Sequence, residues 1–132
     1  MSLSPEERAL VVRMQFEKSD KFMQEAVKVA EMEMWDFVAN RIYYSVFHAV
    51  AGLFIHDGED VRTHKGTVAT FGQKYVLTGL FNTEQGRLFA KLQSLREKCD
   101  YNLVYSSTAE EMKPLIEQSR LLIDRIKELA SK

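Results

Sequence analysis

The sequence predicts an all-α fold, an up-and-down bundle of four long helices plus one short helix. Three observations predict it. Good helix formers dominate the 132 residues, which contain only two prolines and six glycines. Apolar residues recur at three- and four-residue spacing through long windows, and no window alternates as a strand would. The connections between these windows are short, so consecutive helices should return antiparallel.

The first helix opens at "SPEE". Ser4 can cap, Pro5 suits the first helical position and Glu7 completes a capping box. Ala9, Val12, Phe16, Met23, Ala26 and Ala30 then form one stripe, with Ser19 filling a step, over about residues 5 to 32. A second helix follows from about 36 to 56. It is apolar nearly all round, so it should lie centrally, and Asp57-Gly58 stops it. After the polar loop "GEDVRTHKG", Thr63 can cap a third, shorter helix over about 64 to 76, which "TGLFN" ends. Asn82 or Thr83 starts the fourth helix, which runs to about 101 with Leu88, Leu92, Leu95 and Cys99 on its core stripe. Thr108 and Glu111 form another capping-box pattern at the start of the fifth, whose inner face carries Leu115, Leu122, Ile126 and Leu129 to about residue 130. Pro114 removes a backbone donor within that helix, which predicts a kink or a later start.

The length fits a single domain over residues 1–132, with enough chain to bury a core. A formal net charge of −1 provides no global field to draw in nucleic acid, so any such contact must come from a local patch. The lone Cys99 permits no intrachain disulfide. No apolar run approaches the roughly 20 residues that span a bilayer, and "MSLSPEERAL" lacks a signal-peptide core. The expectation is a cytoplasmic protein with no membrane contact.

Polar residues inside apolar helices mark candidate sites. In "ANRIYYSVFHAV", Arg41, Tyr44 and His48 stand at i, i+3 and i+7 and share one face, flanked by Asn40 and Tyr43. They either tie helices together or line a polar pocket. In "LREKCDYN", Arg96 and Asp100 have helix ion-pair spacing, and Arg96 borders the core stripe. A guanidinium fork there also suits phosphate oxygens. In "RTHKG", the cluster Arg62, His64 and Lys65 precedes a helix N-terminus, a position that favours anions. The sequence contains no phosphate-binding GxxxxGK[ST] loop, no GxGxxG, no HExxH, no zinc-ligand spacing and no DNA-binding motif. No metal site and no cofactor is expected.

The ordered set of motifs resembles the HEPN domain family, particularly its small stand-alone prokaryotic branch. "ANRIYYSVFHAVAGLF" is followed in order by "THKG", by Tyr75 with Thr78 and Gly79, and by Leu95, Arg96, Asp100 and Tyr101. The resemblance covers about residues 5 to 128. It implies a helical bundle that commonly dimerises, and a pairing with a small nucleotidyltransferase in a two-component, toxin–antitoxin-type system. Some members of the superfamily are metal-independent endoribonucleases with an arginine and a later histidine separated by four to six residues. Here Tyr101, Asn102 and Leu103 occupy those positions, and the Arg96-x5-Asn102 pair has no titratable base.

The leading expectation is therefore a binding module. Arg41, Tyr44, His48, Arg96, Asp100, Tyr101 and Asn102, with His64 and Lys65, would contact an RNA, a nucleotide or a nucleotidyltransferase partner, in a homodimer. The alternative is a metal-independent endoribonuclease with a degenerate Arg-x5-His motif, in which Arg96 is catalytic and His48 or His64 moves the proton. A purely structural dimeric bundle is the remaining reading.

Overall fold

A computed structural model describes residues 3–61 and 63–132 of the chain. Arg62, one member of the basic loop cluster, lies outside the described residues. Five helices follow in order: α1 (Pro5–Glu31), α2 (Trp35–Asp57), α3 (His64–Phe71), α4 (Thr83–Tyr101) and α5 (Ala109–Ala130). Among the described residues there is no strand, and no helix is long and apolar enough to cross a membrane.

Local chemistry sets most of the ends. The Ser4 hydroxyl accepts from the Glu7 N–H at 3.1 Å, and the Glu7 carboxylate accepts from the Ser4 N–H at 2.8 Å, the expected capping box. Gly58 closes α2 in the left-handed region at φ 79°, where a side chain would be strained. Asn82, rather than Thr83, caps α4, paired with Gln85. At α5 the Thr108 hydroxyl accepts from the Glu111 N–H at 3.3 Å, but only half of the capping box forms. The Glu111 carboxylate instead accepts from the Tyr105 hydroxyl at 2.7 Å. The helix starts at Ala109 and is continuous across Pro114, so the later start does not occur. The donor that proline lacks would serve the Glu110 carbonyl; both residues are exposed, and water can satisfy it.

α2 is the hub, packed against α1, α3, α4 and α5. Val38, Ile42, Tyr43, Val46, Ala49, Val50 and Leu53 are essentially inaccessible. α1 lies very close to it because the facing residues are small. Ser19 on α1 meets Ser45 on α2, and both are buried. The two serines lock reciprocally: Ser19 Oγ donates to the Ser45 carbonyl and Ser45 Oγ to the Ser19 carbonyl, each at 2.7 Å. The Phe16 ring rests on the bare backbone of Gly52, where an added Cβ would come within 2.7 Å of Cε1. From the predicted stripe of α1, only Ala9 is exposed.

The third helix is shorter than its sequence window. Regular α structure ends at Phe71 and continues as a π-helical turn over Gly72–Val76, with the Leu77 N–H reaching the Gly72 carbonyl at 3.0 Å. Tyr75, in this turn, donates its hydroxyl to Asp57 Oδ2 at 2.6 Å and stacks on Phe54 and Phe71. Burial and the Asp57 carboxylate both push the Tyr75 hydroxyl well above the usual tyrosine range. The segment after α4 is anchored by Asp36, whose carboxylate accepts from the Ser107 N–H at 2.7 Å. Cys99 sits half-buried against Ser107 Oγ at 3.1 Å, its thiol pushed up chiefly by burial.

Candidate functional site

The polar residues of α2, α3 and α4 converge on the paired tyrosines. Tyr43 is fully buried, and its hydroxyl lies 2.7 Å from His64 Nδ1. Burial pushes the phenol up to about 12, so Tyr43 keeps its proton at neutral pH. The His64 ring is held below its ordinary value, first by burial and then by the charge of Arg96. The neutral ring thus accepts from Tyr43 at Nδ1 and carries its own proton on Nε2. Phe47 stacks on the same imidazole at 4.3 Å between centroids.

The "THKG" segment now has a physical reading. Thr63 caps α3 by accepting from the Gly66 N–H at 2.9 Å. A Cβ on Gly66 would lie 2.7 Å from Thr63 Oγ1, so only glycine leaves the cap undisturbed. That cap makes His64 the first residue of α3 and sets it against Tyr43. Lys65, next in the chain, is exposed.

Arg96 covers the tyrosines from α4. Its guanidinium carbon is 5.1 Å from the Tyr43 ring centre and 5.8 Å from that of Tyr44, within cation–π range. The side chain is only 12% exposed, yet its carboxylate contacts are long: 3.8 Å to Asp100 and 3.9 Å to Glu97. Its Nε is buried without a partner. This fork is poised but unsaturated, and the open recess beside it, about 520 Å³, is bordered by Ser94, Lys98, Tyr101 and Asn102.

His48 joins the cluster from the other side. Its Nδ1 lies 2.7 Å from Gln15 Oε1 on α1, and since an amide oxygen only accepts, Nδ1 carries the proton. The ring stacks on Phe22 at 5.5 Å and 6° and is 6.5 Å from the Tyr44 ring. Burial first, then Lys18 and His64, lower its pKa to about 4. His48 is neutral at physiological pH, with Nε2 left as an acceptor. His48 and Arg96 thus meet through Tyr44, which both contact.

Arg41 turns the other way. Its Nε pairs with Glu25 at 3.0 Å, Nη1 donates to Asn40 Oδ1 at 2.5 Å, and its guanidinium lies over Phe22 at 5.7 Å. Phe22, from α1, therefore sits between Arg41 and the Tyr44–His48 pair. Phe22 and Gln15, both from α1, are the members that spacing within one helix could not reveal, whereas Phe47 stands at i+4 from Tyr43 on α2 itself. Of the α4 end, Tyr101 is 76% exposed, and Asn102 uses its side-chain oxygen on the Val104 N–H at 3.1 Å. Among the described residues no three His, Cys, Asp or Glu side chains cluster as a metal would require.

The sequence pattern of the HEPN domain matches residues 12–129. The chain belongs to the HEPN domain family. Relatives extend over most of this HEPN protein. A UPF0332 protein of Thermotoga maritima is 28% identical over 107 residues, 81% of each chain. A UPF0332 protein of Archaeoglobus fulgidus is 23% identical over 121 residues, 92% of this chain and 96% of its own length. A Methanocaldococcus jannaschii protein named "Putative toxin MJ0142" is 23% identical over 111 residues, 84% of this chain and 76% of that one.

Proposed function

We propose that this HEPN protein is the RNA- or nucleotide-binding half of a two-component, toxin–antitoxin-type system, acting as a homodimer beside a nucleotidyltransferase partner. The observation that carries the reading is Arg96. A guanidinium that is mostly desolvated, clamped on two tyrosine faces and only loosely paired with carboxylates is preorganised for a phosphate oxygen. Tyr101 stands beside it as an exposed ring on which a base can stack. The relative named as a toxin supports the class of system. Exposed Leu103 and Val104 on the segment after α4, with Phe37 at the start of α2, give that end an apolar surface suited to an interface. The test is fluorescence-anisotropy binding of a labelled oligoribonucleotide, with light scattering in parallel. Micromolar binding that Arg96→Ala abolishes is expected. No binding to RNA or nucleotide by a well-folded dimer would overturn the reading.

A second reading is favoured by His64. A neutral imidazole fixed by Tyr43, close enough to Arg96 to feel its charge, supplies the titratable group that Asn102 lacks. In an endoribonuclease, His64 would shift its proton to Nδ1, with the Tyr43 hydroxyl turning to accept from it, so that Nε2 takes the 2′-hydroxyl proton as that oxygen attacks phosphorus; the 5′-oxygen leaves with a proton from water, and Arg96 stabilises the charge developing on the phosphate. Cleavage of total RNA in EDTA by the wild type, and not by Arg96→Ala or His64→Ala, would raise this reading above simple binding.

A further inference from the structure

A further cavity lies away from the tyrosine site. It is a groove of about 680 Å³ between the N-terminal half of α1 and the C-terminal end of α5, two helices that barely touch. Ala9, Val12 and Phe16 from α1 and Ala130 from α5 form its apolar surfaces. That volume suits a small organic molecule.

The charges at its mouth select the ligand. The part-buried Arg8 is held by a hydrogen bond to the Ile55 carbonyl at 2.5 Å, which uses only part of its fork. Among the described residues neither Arg8 nor Arg13 has a carboxylate partner within ion-pair distance. The carboxylates of the groove do not cancel them. Asp20 is neutralised by Lys127 at 2.5 Å, and His56 is turned to Asp57, which leaves Glu17 alone against two arginines. A partly desolvated guanidinium without a counter-ion beside an apolar trough favours a head group of negative charge on an apolar body.

We infer that this groove binds a medium-chain carboxylate, its chain along Val12, Phe16 and Ala130 and its head on Arg8 and Arg13. The site is independent of the Arg96 cluster, since Gln15 and Phe22 meet His48 while Val12 and Phe16 line the groove.

The experiment is a heteronuclear NMR titration of the isotope-labelled full chain with decanoate below its micellisation concentration, with decanol, decylamine and inorganic phosphate as separate arms. Decanoate should shift the amides of Ala9, Val12 and Ala130 saturably. Decanol and decylamine should bind at least tenfold more weakly, and phosphate should leave the groove unmoved. Ala9→Trp, at an exposed position facing the groove, should weaken decanoate at least tenfold with the thermal midpoint retained. Arg13→Glu should weaken it at least fivefold, and Arg96→Met should have no effect. Equal binding of decanol or decylamine would overturn the inference. So would undiminished decanoate binding by Ala9→Trp, or the absence of shifts in the groove.

Discussion

Replacing Arg96 by methionine separates a binding residue from a structural tie. The substitution keeps a long flexible stem and removes only the charged fork. Its two ring contacts, at 5.1 and 5.8 Å, contribute about 0.5–2 kcal/mol each. The two long carboxylate contacts add about 0–1 kcal/mol each. Against these, the buried Nε without a partner costs about 1–3 kcal/mol. Central values leave a net loss of about 1–2 kcal/mol, equivalent to a thermal midpoint lower by about 3–8 °C for a domain of this size. Two further readouts accompany the stability measurement. With the neighbouring cation gone, His64 titrates at higher pH, visible in its ring proton shifts. Oligoribonucleotide affinity falls about 10- to 100-fold, the value of one charge-assisted hydrogen bond. A stability loss above about 4 kcal/mol with unchanged RNA affinity would refute the reasoning, because Arg96 would then be a structural tie.

Other outcomes follow from the same geometry. Asn102→His installs a titratable group at the Arg-x5-His spacing on an exposed helix end, and should raise metal-independent RNA cleavage over wild type; identical rates in EDTA would count against that spacing as the missing element. His48 has a folded-state pKa of about 4 against an ordinary 6.5, so between these values the unfolded chain binds a proton that the folded one refuses. Stability is unaffected above about pH 6.5 and falls as pH drops toward 4, by about 2 kcal/mol from this residue after discounting its partial exposure. Denaturant curves of His48→Gln should lack that part of the slope, and parallel pH profiles would contradict it. Gly52→Ala drives a methyl into the Phe16 ring at 2.7 Å and should destabilise by about 1–3 kcal/mol; an unchanged urea midpoint would mean that α1 shifts freely.

Much of the candidate site was legible because its residue types conflict with their surroundings. Arg41, Tyr44 and His48 stand out on an apolar helix, and Arg96 borders a leucine stripe. What spacing within α2 could not foresee is that Arg41 would part from Tyr44 and His48. Arg41 turns to Glu25 and Asn40, because Phe22 from α1 fills the space between it and His48. Likewise, Thr63 was legible as the cap of the third helix, but not that this cap, with Gly66, delivers His64 to Tyr43.

By itself, the sequence determined what short-range physics governs. Capping residues sit next to the amides they satisfy, Gly58 tolerates a left-handed turn, and apolar spacing selects one face of each helix. Hence five helices, most of their ends and the central place of α2 could be read directly, while the π turn that ends α3 at Phe71 could not. The tertiary structure decided every pairing between residues far apart in the chain: Ser19 with Ser45, Gln15 with His48, Tyr75 with Asp57, Arg96 with the tyrosines. The same holds for the groove beside Ala9, an apolar step on the α1 stripe that stays open because α5 runs too far away to cover it. The physical reason is that helix phase and crossing geometry are fixed jointly by two packed surfaces, and neither surface alone carries that information.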